Sequence, residues 1–177
     1  LRIQRMNSSN NKVAIVTGGG MGMGEAAALR LAQEGAKVVV ADINFQAGNE
    51  TVAAIRTAGS QAFFGQTDVA QASQVENLVR ETVQHFGKLD ILFNNAAIQL
   101  HGIDKRAHEL DEEIWDKIQS VNLKGVWLCS KYAIIQFLKQ GTGGAIINNA
   151  SPTGLLGVAP NDTAYSTSKG GVYGLTR

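Results

Sequence analysis

The chain has 177 residues, 44% of them hydrophobic and 18% charged, and its 16 basic and 15 acidic residues leave a net charge of +1. That is enough apolar material for one folded domain and too even a charge balance for a disordered chain. The basic residues are scattered and form no stripe interleaved with aromatics, which argues against nucleic acid as a partner.

Residues 1–11 are expected to be a flexible N-terminal segment ahead of a single domain over residues 12–177. Leu1 to Lys12 carries Arg2 and Arg5 but no apolar run of signal-peptide length, and Leu1 to Arg5, ahead of Met6, read as sequence upstream of a natural start. No later stretch approaches the ~18 apolar residues of a membrane span. A cytoplasmic protein that does not engage a membrane is expected.

Lys12 to Thr17 is a short, β-branched apolar run that ends in glycines, and Glu25 to Gly35 has the alanine and leucine content of a helix. The alternation repeats. Lys37 to Ala41, Ala62 to Gly65 and Leu89 to Phe93 read as strands, with Ala47 to Ala58 and Ser73 to Phe86 as the helices between them. Strands joined through helices predict an α/β fold with a parallel sheet covered on both faces, and Val38-Val39-Val40 and Ile91-Leu92-Phe93 have the continuous apolarity that such burial requires.

Asp111, followed by Glu112 and Glu113, supplies a cap and negative charge for a helix start. Ile114, Ile118, Val121, Gly125, Leu128, Tyr132, Ile135 and Leu138 then recur at steps of three and four, which predicts one long helix with a core-facing stripe. Trp115, Trp127 and Phe137 add apolar surface on its other faces, more than one sheet face needs, which fits either a subunit interface or ordinary core. Cys129, the only cysteine, excludes an internal disulfide and reads as a buried, inert thiol in a reducing compartment. Ala145 to Asn149 is a fifth strand, followed by a loop with Pro152 and Pro160 and a last helix.

Chemistry collects at three places. The turn Thr17 to Gly24 lies between the first strand and first helix, where free backbone N–H groups and the helix dipole suit a phosphate. Asp42 ends the second strand, eighteen residues after Gly24, where a carboxylate can hold ribose hydroxyls; with Ile43 next and no cation in the turn, NAD is expected rather than NADP. Tyr165 and Lys169 stand four apart, on one face of a helix, and a nearby ammonium favours a phenolate. A tyrosine and a lysine at that spacing also occur on ordinary helix surfaces, so the pair carries weight only through its company. His85, His101 and His108 show no metal-ligand spacing, and no metal site is assigned.

The ordered set Thr17-Gly18-x-x-x-Gly22-x-Gly24, Asp68, Asn94-Asn95-Ala96-Ala97, Asn122, Ser151 and Tyr165-x-x-x-Lys169 resembles the short-chain dehydrogenase/reductase family in its compact, NAD-using form, across Val13 to Arg177. The resemblance implies a doubly wound, Rossmann-like parallel sheet and an NAD-dependent oxidoreductase that passes hydride between nicotinamide and a secondary alcohol or carbonyl compound. Tyr165 would be the acid/base, and Lys169 would lower its pKa and hold the nicotinamide ribose. Ser151 would steady the substrate oxygen, and Asn122 would hold a water in a proton relay. Gly18, Met21, Gly22, Met23, Gly24, Asp42 and Ile43 would line the adenosine and pyrophosphate side of the cofactor. Asp68 with Val69 would meet the adenine, and Asn95, Ala96 and Ala97 the middle of the cofactor.

The departures from that pattern are specific. Ala97 stands where the family has glycine; Ser151 precedes Tyr165 by fourteen residues, one more than usual, an extra residue assigned to Ala159 to Asp162; and Pro152 follows the serine directly. The family continues past the last helix into two more strands and a substrate lid, so the sheet is expected to lack its last strands. A homo-oligomer, dimer or tetramer, is expected of the full-length protein. The competing reading is a dinucleotide-binding module without turnover. An epimerase or dehydratase is disfavoured by glycine spacing and length. Gln99, Leu100, Leu155 and Leu156 face the expected substrate side without a readable code, so the substrate itself stays unnamed.

Overall fold

A computed structural model describes residues 9–157 and 159–177. The expected flexible segment therefore lies, through residue 8, outside the described residues. Five strands, β1 (Val13–Thr17), β2 (Lys37–Asp42), β3 (Ala62–Gln66), β4 (Ile91–Asn94) and β5 (Ala145–Asn148), form one parallel sheet in the order β3-β2-β1-β4-β5. The strands fall within a residue or two of their expected positions because apolar runs this short have one way to be buried on two faces.

Alternate side chains of the central strands feed two cores. Val16, Val38 and Val40 pack with Ala28 and Ala32 of α1 (Gly22–Gln33) and Val52 and Ile55 of α2 (Phe45–Thr57). Ile15, Val39 and Leu92 pack with Val75 and Leu78 of α3 (Ala72–Phe86) and with Leu128, Ala133 and Phe137 of α5 (Gly125–Gln140). Each such valine, leucine, isoleucine or phenylalanine contributes about 1.5–3 kcal/mol on full burial, which locks the strand register and therefore the strand ends. The chain crosses to β2 on one side of β1 and to β4 on the other, opening a crevice at the carboxyl ends of these strands.

The long helix expected from Asp111 onward is interrupted. α4 (Glu112–Gln119) passes into a π-helical turn at Ser120–Lys124 before α5 begins. The turn spends one residue more than an α-helical turn, so the apolar stripe shifts by about one position. Ile118 and Leu128 are buried as expected, but Cys129, Ala133 and Phe137 continue the buried face, while Ile135 and Leu138 are 51% and 77% exposed. Phe137, assigned to an outer face from sequence, belongs to the core. Asp111 does occupy the N-cap position of α4, but its side chain makes no capping hydrogen bond.

Edge strand β5 is covered on one side only. Ile146 packs towards α5, whereas Ile147 is 51% exposed. After it, a 3₁₀ turn (Pro152–Gly154) docks on α6 (Thr163–Thr176), where the missing side chain of Gly154 lets the turn lie against the Lys169–Gly170 backbone.

Candidate active site

Helix α1 begins inside the glycine run, at Gly22 rather than at Glu25. Gly22 has φ 58 and nothing lies within 4 Å of where its Cβ would be, whereas a Cβ on Gly24 would strike the carbonyl oxygen of Gly18. The turn is therefore folded tightly on itself while the first turn of the helix faces open space, as an incoming anion needs. Met21 and Met23 flank it, 58% and 71% exposed.

Asp42 supports this turn from β2. One carboxylate oxygen accepts the Gly20 N–H at 2.9 Å and the other the Asn44 N–H at 2.9 Å. Each oxygen keeps a second lone pair, so the group can still accept hydroxyl donors. Ile43, beside it, is 67% exposed.

From the glycine turn a ladder of amides crosses the strand ends. Asn95 Nδ2 donates to the carbonyls of Thr17 and Gly18, at 3.1 and 3.2 Å. Asn95 Oδ1 accepts from Asn149 Nδ2 at 3.1 Å, and the Asn149 carbonyl accepts from Lys169 Nζ at 2.7 Å. Thr17 Oγ1 adds a second fastening by accepting from the N–H groups of Asn95 and Ala96. The glycine turn and the lysine are thus joined through three strand ends. Lys169 is 3% exposed, and burial pushes its ammonium below the usual lysine range. Its Nζ lies 5.8 Å from the centre of the Tyr165 ring, so the four-residue spacing does place the pair together.

Tyr165 is fixed through its backbone. Asp104, 1% exposed, accepts the N–H of Ala164 with Oδ1 at 3.1 Å and that of Tyr165 with Oδ2 at 2.9 Å. Asn122 sits in the π turn, fully buried. Its amide exchanges both bonds with the Ile98 backbone, at 2.8 and 2.9 Å, and donates to Ser168 Oγ at 3.2 Å. Its side chain is therefore occupied. Ser151 Oγ stands 3.0 Å from Thr153 Oγ1 and accepts the Thr153 N–H, which turns the hydroxyl towards the start of the 3₁₀ turn.

Val69 is 7% exposed and its side chain packs against Gly125. Asp68 Oδ1 accepts the Ala70 N–H, holding its own turn, and its second oxygen stays available. Ala97 is exposed beside Asn95 and Ala96. Burial pushes the Cys129 thiol up to about 12, leaving it inert. Among the described residues no three histidine, cysteine or acidic side chains form a metal-binding group, and no helix is long and apolar enough to cross a membrane.

Sequence reading missed Asp104, Gln119 and Asn149. Asp104 meets its partners sixty residues away, and Gln119, which donates to the Ala164 carbonyl at 2.9 Å, meets its own at forty-five. No local pattern marks such contacts. Asn149 did carry a signal, since two amides at the end of an apolar strand need partners.

The chain matches the short chain dehydrogenase family over residues 12–177. It is 46% identical to an uncharacterised oxidoreductase of Thermotoga maritima, over 94% of this chain and 63% of that protein. It is 42% identical to 2,5-dichloro-2,5-cyclohexadiene-1,4-diol dehydrogenase of Sphingobium indicum, over 97% of this chain and 66% of that one. A crystal structure of a chain assigned as a short-chain alcohol dehydrogenase in Sinorhizobium meliloti superposes with a TM-score of 0.88 at 34% identity, covering 95% of this chain and 65% of that one. The chain thus spans less than two thirds of the length of these relatives. On the glycine turn, the amide ladder and the Tyr165–Lys169 pair, together with these matches, the chain belongs to the short-chain dehydrogenase family.

Proposed function

We propose that the protein is an NAD-dependent oxidoreductase acting on a secondary alcohol or the corresponding carbonyl compound. The observation that carries this reading is the hydrogen-bonded chain that joins the glycine turn through Asn95 and Asn149 to Lys169, beside Tyr165. The residues present fit a dinucleotide. The open first turn of α1 suits the pyrophosphate, and the Asp42 carboxylate suits unmodified ribose hydroxyls while opposing a 2′-phosphate. When bound, the nicotinamide would accept or donate the hydride.

The remaining chemistry falls to the chain's own groups. Tyr165 removes the proton from the alcohol, or returns it to the carbonyl oxygen, at its phenolic oxygen. Lys169 provides the adjacent positive charge and exchanges the Asn149 carbonyl for ribose hydroxyls. Ser151 donates to the substrate oxygen as charge develops on it, with Thr153 orienting the hydroxyl. Since the Asn122 amide is engaged with Ile98 and Ser168, a relay water would meet its backbone carbonyl. The exposed Leu155 and Leu156 beside the 3₁₀ turn suit an alicyclic substrate such as a cyclic alcohol or diol, the class that two relatives' names carry.

Trp127, Ile134, Ile135 and Leu138 leave an exposed apolar face on α5, which supports a homo-oligomer. The test is Tyr165→Phe in the full-length protein, with NADH formation followed across a panel of cyclic secondary alcohols. Loss of turnover with NADH binding retained supports the reading. Binding without turnover in the unaltered protein would leave a dinucleotide-binding module.

A further inference from the structure

The helix that bears Tyr165 and Lys169 has an unusual beginning. Asp162 occupies its N-cap position, yet the Asp162 side chain makes no capping bond and instead accepts from Gln99 Nε2 at 3.0 Å. The N–H groups of Ala164 and Tyr165 are taken by Asp104, a buried carboxylate on the loop after β4. A local aspartate or serine would satisfy these donors with no carboxylate removed from water. What a distant cap adds is a fixed distance between that loop and the helix.

The bonds around Tyr165 close into a ring. The Asp104 N–H is held by the Leu100 carbonyl at 2.8 Å, which folds the loop into a turn. Ile98, at the loop's start, is bonded through both its N–H and its carbonyl to Asn122. Asn122 donates to Ser168 Oγ, and Ser168 Oγ–H donates to the Tyr165 carbonyl at 2.7 Å. Side chains thus hold the N–H and the carbonyl of Tyr165 from opposite sides, while Gln119 holds the carbonyl of the preceding residue.

We propose that Asp104 is a positioning residue for Tyr165, setting the placement of α6 against the loop that leaves β4 so that the phenol meets a substrate held at the cofactor crevice. This rests on the acid/base reading of Tyr165. Asp104 touches neither the crevice nor the glycine turn, so its loss acts on the chemical step and not on dinucleotide affinity.

The experiment compares Asp104→Ala and Asp104→Asn in the full-length protein, with Tyr165→Phe alongside. It uses NAD and whichever panel alcohol the unaltered protein oxidises fastest. Asp104→Ala should lower kcat by roughly 10²-fold, the cost of displacing a reacting group by about 1 Å. Asp104→Asn, which keeps one acceptor and the side chain's shape, should recover part of that loss. In both variants NADH affinity should be unchanged and the amides of residues 164 and 165 should exchange with deuterium faster. A merely structural role would lower Tm and leave kcat below that temperature at the unaltered value, and that result overturns the proposal. So does unchanged amide exchange. Full turnover by Tyr165→Phe would instead sink the acid/base reading, whatever the Asp104 variants do.

Discussion

The two ends of the parallel sheet are built from different chemistry. At the amino ends, Asp90 accepts the Val13 N–H at 2.8 Å and lies 3.6 Å from Lys12 and 2.9 Å from Lys88. At the carboxyl ends, Lys169 and Asp104 are both buried, and the partners of each are backbone groups. One end pairs its charges; the other keeps single charges apart in a scaffold of neutral amides. Paired charges serve the fold alone; at the other end Asp104 spends both oxygens on the backbone of α6, and Lys169, held by a backbone carbonyl, retains the capacity to act on a ligand.

The contrast can be broken most strongly at the carboxyl end. Tyr165→Phe removes the proposed acid/base group and should reduce turnover by roughly 10²–10⁴-fold, read as NADH formation, with NADH affinity preserved. Asp42→Ala comes next. Losing hydrogen bonds to a charged acceptor, at about 1.5–3 kcal/mol each, should weaken NADH by at least ~10-fold while sparing NADPH, which fluorescence titration of both nucleotides measures. An unchanged NADH:NADPH ratio would remove Asp42 as the selector.

The amino end predicts an effect on stability and none on turnover. Burial raises the Asp90 pKa, but the Lys88 hydrogen bond, the Val13 N–H and the charges of Lys88 and Lys12 outweigh it and hold the carboxyl below its ordinary value. A lowered carboxyl stabilises the fold above the unfolded value of ~3.9 and loses that contribution as pH falls through the folded value. Asp90→Asn should therefore cost about 2 kcal/mol in urea unfolding at pH 7 and flatten the acid dependence below about pH 4.

The smallest effect is the one at Lys169. Because its folded pKa is lowered, the unfolded chain binds the extra proton between that value and ~10.4, and stability rises with pH across this window. The stability of the unaltered protein relative to Lys169→Met should increase between pH 8 and pH 10. A constant difference would mean that the ammonium pays no desolvation penalty.

Most of the fold was legible because parallel strands buried on both faces leave uninterrupted apolar runs, as at Val38 to Val40, and glycines mark where the first helix opens. The strand end at Asp42 was legible for the same reason, whereas Asn95 was singled out only through the family resemblance. The interruption at Ser120–Lys124 was not. Both Tyr132 and Ala133 suit a helix, and the choice between them rests on Asn122 finding Ile98 across the fold. Asp104 was hidden likewise, since an aspartate within the long polar connection from β4 to α4 reads as solvated surface until a helix from sixty residues later arrives over it.

The π turn also acts as a one-residue insertion that decides which side of α5 meets the outside world. Deleting a single residue there would rotate everything downstream by about 100°. Ile135 and Leu138 would swing towards the sheet, and Ala133 and Phe137 away from it. Helix α5 is apolar enough on both sides to tolerate either setting. The insertion therefore keeps Asn122 aimed at Ile98 while presenting Trp127, Ile135 and Leu138 outward, so one added residue sets both the buried amide contact and the exposed apolar face.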